Sequence, residues 1–181
     1  MVYQEIYPPS EDSYFMSEIL ERIIPNLLKK NSNIKFLEMG CGSGIQLQTA
    51  SDCGIKKENI FGADINVNAV NHCKNLGFKC IHSNLFSAFK GKFDLIVFNP
   101  PYLPDDKKEP ADSKIATTGG KKGGELINKF LRQARKHLTD SGRIILLVSS
   151  LTKSIDFSGY NAEVLGTKKM FFEELKILEL S

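Results

Sequence analysis

Hydrophobic and polar residues follow two alternating patterns along this chain. Over 11–24 and 126–138, apolar residues recur at helical spacing and form a single stripe. Elsewhere the apolar residues form short, nearly continuous runs such as Phe93–Phe98, which are typical of parallel strands covered on both faces. This alternation of helices and buried strands predicts an α/β fold with a mostly parallel, doubly wound sheet.

Turn and capping residues set the predicted boundaries of these elements. Ser10 is the expected N-cap of the first helix, and Pro25 is expected to end or restart it. That helix is predicted to bury Phe15, Met16, Ile19, Leu20 and Ile23. The later elements are predicted as a strand at 34–39, a helix at 45–53, a strand at 59–64, a helix at 66–75, strands at 78–82 and 93–98, a helix at 126–138, a turn at 140–142 into a strand at 143–148, and a terminal hairpin of 163–165 and 170–180 split by Gly166-Thr167.

Length, composition and charge narrow the class of protein. A chain of 181 residues with 41% hydrophobic residues suits a single domain spanning 1–181, whose first 30 residues form a helical segment. The net charge of +3 is mild and basic residues are interspersed with acids, so a nucleic-acid-binding patch is not indicated. Because neither a signal peptide nor an 18-residue apolar run is found, we predict a cytoplasmic protein.

The cysteines support the same compartment. Cys41, Cys53, Cys73 and Cys80 form no C-x-x-C pair, and no histidines stand at ligand spacing beside them. We therefore predict neither a metal site nor a disulfide framework, as expected of a protein in a reducing compartment.

A glycine-rich turn follows the predicted strand at 34–39. Gly40, Gly42 and Gly44 let the backbone approach a ligand closely, and the next helix offers N–H groups to a carboxylate. The dinucleotide fingerprint requires a third glycine at the position of Ile45, so a ligand other than a pyrophosphate is favoured. Since Glu38 can accept hydrogen bonds from an amine, the turn suits the amino-acid end of a ligand, although similar turns also occur in purely structural loops.

Two further strand ends carry residues suited to a nucleoside. Asp64 comes 20 residues after Gly44, where a carboxylate in this architecture binds both ribose hydroxyls. Asn84 and Leu85 follow the strand at 78–82 and are placed to contact an adenine ring.

Asn99-Pro100-Pro101-Tyr102 follows the apolar run at 93–98 and looks like the edge of an active site. The two prolines hold the backbone extended and leave its carbonyls free. The Asn99 amide oxygen and the Pro100 carbonyl could together accept the two hydrogens of an NH₂ group, and Tyr102 offers an aromatic face to a flat amide or base. Asparagine and proline are also ordinary turn residues, so this segment alone does not decide between a site and a turn.

The residues from 103 to 124 show no periodicity. A segment of this length without regular structure inside a compact domain is typically functional. Because it follows Tyr102 directly, we predict that 103–124 is a substrate lid.

Glu38-Met39-Gly40-Cys41-Gly42-Ser43-Gly44, Asp64 and Asn99-Pro100-Pro101-Tyr102, in this order and spacing, resemble the class I S-adenosylmethionine-dependent methyltransferases that modify amino groups. The resemblance covers nearly the whole chain. It implies a Rossmann-like fold with a seven-stranded sheet of order 3-2-1-4-5-7-6, in which only strand 7 is antiparallel.

Three shorter segments resemble one branch of that class. Pro9-Ser10-Glu11-Asp12-Ser13, the glycine pairs at 119–124, and Phe171-Phe172-Glu173-Glu174-Leu175 are similar to the archaeal and eukaryotic HemK-related family. These proteins methylate the glutamine in the GGQ loop of class-1 translation release factors. The resemblance implies the same activity here, together with a small zinc-binding activator subunit of the Trm112 type. We expect this partner to pair with an apolar sheet edge formed by Phe78, Cys80 and Ile81.

The resemblance also assigns roles to individual residues. Asn99, Pro100 and Tyr102 are the implied catalytic residues. Asn84 stands where relatives usually have aspartate and Ser13 where they tend to have threonine, and both can still form hydrogen bonds to the cofactor. The residues implied to bind S-adenosylmethionine are Ser13, Glu38, Gly40, Cys41, Gly42, Gly44, Asp64, Ile65, Asn84, Leu85 and Asn99.

Three alternatives remain open on the sequence. An adenine-N6 or other nucleic-acid methyltransferase would use the same acceptors, because an exocyclic amine presents the same two hydrogens, but such enzymes usually need a target-reading domain. A nicotinamide-dependent oxidoreductase is supported by Gly40, Gly42 and Asp64 and disfavoured by Ile45. A binding module without catalytic activity leaves the segment 99–102 without a role.

Overall fold

Seven strands and four helices build the part of the chain that the computed structural model describes, residues 6–104 and 118–181. The strands are β1 (Phe36–Met39), β2 (Ile60–Asp64), β3 (Lys79–His82), β4 (Phe93–Phe98), β5 (Leu138–Ser149), β6 (Ala162–Lys169) and β7 (Glu174–Leu180). The helices are α1 (Glu11–Lys30), α2 (Ile45–Asp52), α3 (Val67–Asn75) and α4 (Glu125–Ala134), with short 3₁₀ turns at Lys57–Asn59 and Arg135–His137. None of the helices in these two ranges is long and apolar enough to cross a membrane.

The strands form one sheet in the order β3-β2-β1-β4-β5-β7-β6. Strand β7 is antiparallel to both of its neighbours, and the remaining pairs are parallel. This confirms the predicted fold class, strand order and single antiparallel strand.

Both faces of the sheet are covered, which explains why its central strands are nearly continuously apolar, with Glu38 in β1 and Asp94 in β4 as exceptions. In β4, Leu95 and Val97 pack into a cluster with α1, α2 and α3, whereas Ile96 and Phe98 pack into a second cluster with α4. All four side chains are buried. Alternate residues of a strand point to opposite faces, so a strand between two layers of helices needs apolar residues at nearly every position.

Helix α1 does not end at Pro25 as predicted but continues through it to Lys30. Proline lacks the N–H that would bond to the carbonyl four residues earlier, and its ring crowds that carbonyl. Ile24 is fully buried, and Leu27 and Leu28 pack against the same core cluster. Burial on both sides of the proline therefore outweighs the local preference to stop.

Pro25→Ala should raise the free energy of unfolding by about 1–3 kcal/mol. Alanine restores the missing N–H and has the highest helix propensity, and these gains exceed the entropy that proline removes from the unfolded chain. The Pro25 side chain is exposed, so little packing is lost. Urea unfolding of Pro25→Ala measures the effect. Asn26→Ala is the control, because Asn26 is exposed and loses only helix propensity and one long, exposed hydrogen bond from Lys29 at 3.4 Å. A midpoint at or below that of the unsubstituted chain would contradict this explanation.

Three predicted boundaries in the second half of the chain are wrong. The helix predicted to run to 138 ends at Ala134, because Leu138 already pairs with Phe93 at the start of β5. Residues 140–142 lie inside β5. Phe93 of β4 pairs with Leu138 of β5, and Leu95 pairs with Arg143. Because two residue steps in β4 face five in β5, the extra residues of β5 form a bulge. Gly166 and Thr167 lie inside β6, and the hairpin turns at 170–173 instead. A Cβ on Gly166 would lie 2.9 Å from Ile19 Cδ1, so this glycine allows β6 to pack closely against α1 rather than forming a turn.

Strand β3 lies at one edge of the sheet, as expected, but its exposed apolar surface is smaller than predicted. Phe78 and Cys80 are only 4% and 6% exposed because they face the core. Ile81, at 40%, is the apolar residue that this edge presents. The predicted apolar edge is therefore reduced to one exposed side chain, Ile81, beside the backbone of β3 that faces away from β2.

Candidate active site

A cavity of about 540 Å³ opens at the carboxyl ends of β1, β2 and β4. Parallel strands end at the same edge of a sheet, so the loops that follow them form a common wall. The residues around the start of α1 form another part of the wall, and Met170 and Glu173, in the turn between β6 and β7, form a third. This volume is in the range of about 300–1,000 Å³ that is usual for small-molecule sites.

The glycine-rich turn between β1 and α2 lines this cavity through Gly40 and Gly42. Their φ angles of +68° and +45° lie in the left-handed region that favours glycine. A Cβ on Gly42 would meet no atom closer than the Gly40 carbonyl oxygen at 3.9 Å, so the space before it is open to a ligand. Gly44 does not line the cavity. A Cβ there would lie 3.0 Å from Cys73 Sγ, so this glycine lets α3 pack against the turn.

Asp64, at the end of β2, holds the glycine-rich turn in place. One carboxylate oxygen accepts a hydrogen bond from the Gly42 N–H at 2.9 Å, and the other accepts one from the Asn66 N–H at 2.8 Å. Burial raises the pKa of this carboxyl, while these backbone hydrogen bonds oppose the rise. Each carboxylate oxygen has a second lone pair, so Asp64 can also accept hydrogen bonds from ligand hydroxyls.

Glu38 is a buried carboxyl in the cavity wall, 4% exposed. Its Oε2 accepts a hydrogen bond from the Leu47 N–H at 3.1 Å. Burial raises the pKa of Glu38 well above its ordinary value, and the hydrogen bond from Leu47 opposes this. A cation in the cavity would favour the ionised form, so this position suits an amine.

The side chain of Asn99 is fixed by a residue that sequence reasoning did not assign to the site. Asn99 Nδ2 donates to Asp12 Oδ2 at 3.2 Å, and Asp12 lies in the first turn of α1. This contact assigns the other amide atom, Oδ1, as a hydrogen-bond acceptor. Asn99 Oδ1 is buried and has no hydrogen-bond partner among the described residues. Because an unpaired buried acceptor is costly in a folded protein, its presence in a cavity wall points to a ligand donor.

Tyr102 completes this end of the cavity and lies close to two carboxylates. Burial is the main cause that raises the pKa of Tyr102, and the negative charges of Asp12 and Glu173 raise it further. The Tyr102 carbonyl accepts a hydrogen bond from Thr152 Oγ1 at 2.8 Å, which ties the segment to the end of β5. The hydroxyl therefore stays protonated, and the acids around it make this end of the cavity electronegative.

The cavity brings together nearly all of the residues that the sequence predicted. Ten of the eleven proposed cofactor residues line it, Gly44 being the exception, and so do Pro100 and Tyr102. The cavity also gathers residues that were not assigned to it. These are Ile6, Tyr7, Ser10, Asp12, Met39, Ser43, Ile45, Gln46, Asn66, Ala69, Ser83, Phe98, Pro101, Leu103, Leu126, Met170 and Glu173.

The described end of the predicted lid is fixed against the active-site edge. The Gly119 N–H donates to the Leu103 carbonyl at 2.9 Å. A Cβ on Gly119 would come within 2.5 Å of the Pro101 carbonyl oxygen, and one on Gly123 within 2.5 Å of the Tyr102 carbonyl oxygen. These glycines are therefore required by close backbone packing. The remainder of the predicted lid, 105–117, lies outside the described residues.

Three cysteines that are far apart in the chain meet behind the glycine-rich turn. The Sγ atoms of Cys41, Cys73 and Cys80 lie within 4.8 Å of one another, and all three side chains are buried. Cys73 Sγ donates to the Gly42 carbonyl at 3.6 Å. Sequence spacing could not reveal this cluster, because its members come from the turn, α3 and β3. The cluster packs the turn against its neighbours and thereby supports the cavity wall.

Comparison with known families identifies one match. Residues 17–169 match the model of the methyltransferase small domain. The matched region contains all of β1 to β6, and with them the glycine-rich turn, Asp64 and the segment 99–102.

Similarity to individual proteins extends over the whole chain. A Methanocaldococcus jannaschii protein provisionally named a protein N5-glutamine methyltransferase is 34% identical over 98% of this chain and 92% of its own length. The release factor glutamine methyltransferase of Borreliella burgdorferi is 35% identical over 66% of this chain. That match covers 46% of the Borreliella protein's own length. Among solved structures, the E. cuniculi Mtq2–Trm112 complex, which methylates the termination factor eRF1, superposes with a TM-score of 0.72 over 97% of both chains at 23% identity. Because the sequence identity is low, this structural similarity shows only that the two chains share a fold.

Proposed function

The chain belongs to the methyltransferase small domain family, and we propose that it transfers a methyl group from S-adenosylmethionine to the side-chain nitrogen of the GGQ glutamine in a class-1 translation release factor. The observation that carries this proposal is the buried Oδ1 of Asn99 in the cavity wall, which has no hydrogen-bond partner within residues 6–104 and 118–181. A substrate that brings an NH₂ group to this atom satisfies it, and a glutamine side chain ends in such a group.

The cavity suits S-adenosylmethionine in several places. The open space before Gly42 and the N-terminus of α2 would receive the carboxylate of its amino-acid end, and Glu38 its amine. The carboxylate of Asp64 would bind the ribose hydroxyls, with Ile65, Asn84 and Leu85 near the adenine. The bound cofactor would supply an electrophilic methyl group and leave as S-adenosylhomocysteine. Ser13 and Cys41 also line the cavity and would contact the same molecule.

The residues at 99–102 have to compensate for a poor nucleophile. An amide nitrogen shares its lone pair with the carbonyl and therefore attacks weakly. Asn99 Oδ1 and the Pro100 carbonyl would accept hydrogen bonds from its two N–H groups, hold the nitrogen in line with the methyl group, and stabilise the positive charge that develops on it. The nitrogen would then release one of these two protons to solvent, which leaves a neutral N-methyl amide. Positioning of this kind can supply about 7–11 kcal/mol. Asp12 contributes by orienting the Asn99 amide and by its negative charge.

A protein loop fits this cavity better than a nucleic acid. Asp12 and Glu173 line the cavity at its Tyr102 end, and their carboxylates disfavour the approach of phosphates. A glutamine at the tip of an exposed loop can enter without the unstacking that a base in a duplex requires. Three sequence relatives carry names that state a protein glutamine, a release factor or eRF1 as the substrate, which supports the same choice.

Substrate class can be tested directly with labelled cofactor. The protein is incubated with methyl-labelled S-adenosylmethionine and, in separate reactions, with the host's class-1 release factor, its total RNA and its DNA. We expect label in the release factor, and none in a release factor whose GGQ glutamine is replaced by alanine. Label in RNA or DNA and not in the protein would establish the nucleic-acid alternative instead.

The exposed edge of β3 supports a second proposal, a partner subunit of the Trm112 type. An unpaired edge strand offers backbone groups that an added strand can satisfy, and Ile81 is exposed on it. We expect co-expression with the host's Trm112-like protein to increase soluble yield and activity. Ile81→Asp should abolish the gain, whereas Val164→Asp on β6, at the opposite edge of the sheet, should not. Full activity of the chain alone, unchanged by the partner, would argue against this subunit.

A further inference from the structure

Two phenylalanines project into solvent from the turn between β6 and β7. Phe171 is 99% exposed and Phe172 is 94% exposed, far more than any other large apolar residue in the described ranges. Two adjacent aromatic rings that are fully exposed gain no stabilisation from burial. Exposed apolar surface of this kind is typical of a site that another molecule covers.

The local geometry does not require these residues. The Met170 N–H donates to the Glu173 carbonyl at 2.8 Å, so Phe171 and Phe172 form a two-residue hairpin loop. Such loops favour glycine or asparagine with positive φ, and neither phenylalanine has a positive φ. The sequence therefore carries two bulky rings where turn chemistry prefers small residues and where the fold gains nothing from them.

The hairpin tip is attached to the active-site wall. Met170 and Glu173, which flank the two rings, both line the cavity. Ser149 Oγ donates to a Glu173 carboxylate oxygen, and the Glu174 N–H donates to Ser150 Oγ at 3.0 Å. These bonds fix the tip to the end of β5, so the two rings are held next to the part of the cavity wall that Met170 and Glu173 form.

We propose that Phe171 and Phe172 form a docking tip that inserts into an apolar cleft on the folded substrate protein, next to the loop that carries the target glutamine. This inference rests on the proposed function and adds how the substrate is selected. Neither Phe171 nor Phe172 lines the cavity, so the tip should affect substrate binding and not methyl transfer.

The ring geometry and nearby charges favour a protein over a nucleic acid as the occupant. The ring centroids are 6.5 Å apart and the ring planes are tilted by 43°, which does not make a platform for successive stacked bases. Glu173 and Glu174 follow the rings directly and disfavour a phosphate backbone, although Lys168 and Lys169 precede the turn. A cleft on a folded protein accepts two tilted rings and buries their apolar surface.

The kinetic test compares Phe171→Ala/Phe172→Ala with the unsubstituted enzyme on the intact release factor. We expect KM for the release factor to rise about 30-fold or more, as for loss of an interface hot spot, with kcat and the dissociation constant of S-adenosylmethionine unchanged. Because both side chains are exposed, the melting temperature should not fall. Phe171→Leu/Phe172→Leu should recover part of the loss, and Val164→Ala, an exposed apolar residue on the same hairpin, should have no effect. An unchanged KM, or a fall in kcat alone, would overturn the proposal.

A binding test that needs no turnover separates this inference from the proposed function. The chain contains no tryptophan, so Phe172→Trp places a single indole at the tip. We expect its emission to shift to shorter wavelength when the release factor is added, relative to the same mixture made with the unsubstituted enzyme. A shift without methylation would leave the docking tip standing and refute the proposed reaction. Methylation without a shift would refute the docking tip and leave the proposed reaction standing. A shift on addition of an RNA fragment alone would show that the tip binds a nucleic acid and not a protein.

Discussion

Replacing Asn99 with alanine should lower kcat for glutamine methylation by about 10²–10³-fold, the usual effect of removing one preorganised hydrogen-bonding group from a transition state. The variant loses Oδ1, the buried acceptor that has no partner within the described residues. Because Asn99 forms only part of the cofactor's wall, the dissociation constant of S-adenosylmethionine should change much less. Single-turnover rates and isothermal titration calorimetry separate the two quantities.

Variants at two other positions identify the origin of this loss. Asp12→Ala removes the acceptor that orients the Asn99 amide and should lower kcat in the same direction, by a smaller factor. Asn71→Ala, an exposed asparagine on α3, serves as the matched control and should behave as the unsubstituted enzyme. If Asn99→Ala kept full turnover, the proposed role of its amide oxygen would be refuted.

Asp64→Ala should instead raise the dissociation constant of S-adenosylmethionine by about 10²–10⁴-fold, because it removes charge-assisted hydrogen bonds to two ribose hydroxyls worth about 1.5–3 kcal/mol each. Turnover at saturating cofactor should fall much less than in Asn99→Ala. The carboxylate also accepts hydrogen bonds from Gly42 and Asn66, so part of the loss will come from a less ordered turn.

The two contributions of Asp64 can be measured separately. Asp64→Asn keeps one oxygen for a backbone donor and loses the charge, so it should weaken cofactor binding while preserving more of the melting temperature than Asp64→Ala. Asp52→Ala, an exposed carboxylate at the end of α2 that accepts a hydrogen bond from Gln48 at 2.7 Å, is the control for loss of an acid away from the cavity. A lower melting temperature with unchanged cofactor affinity would show that Asp64 is purely structural.

The order of elements was predictable because their signals are local. A strand between two helical layers is nearly continuously apolar, and Phe93–Phe98 was located to the residue from this pattern although it contains Asp94. The predicted element boundaries were wrong where a contact distant in the sequence outweighs a local conformational preference. Pro25 stays in α1 because the residues around it are buried, and Gly166 serves close packing against Ile19 rather than a turn.

The candidate site was predictable to the same extent. Glu38, Asp64 and Asn99 were found because each lies at or near the end of a parallel strand, and such ends share one edge of the sheet. Asp12 and Glu173 were missed because they reach the cavity from distant parts of the chain. Asp12 is 87 residues from Asn99, and locally it is an ordinary acid in the first turn of a helix. Only the tertiary fold reveals that it orients the Asn99 amide.

The most direct test of the central proposal is to locate the methyl group on the substrate. The release factor is incubated with the enzyme and S-adenosylmethionine, digested, and its GGQ peptide sequenced by tandem mass spectrometry, with Asn99→Ala as the parallel control. We predict one added methyl group on the side-chain nitrogen of the GGQ glutamine, strongly reduced with Asn99→Ala. An unmodified glutamine under conditions where S-adenosylhomocysteine accumulates, or a methyl group on another residue, would contradict the proposal.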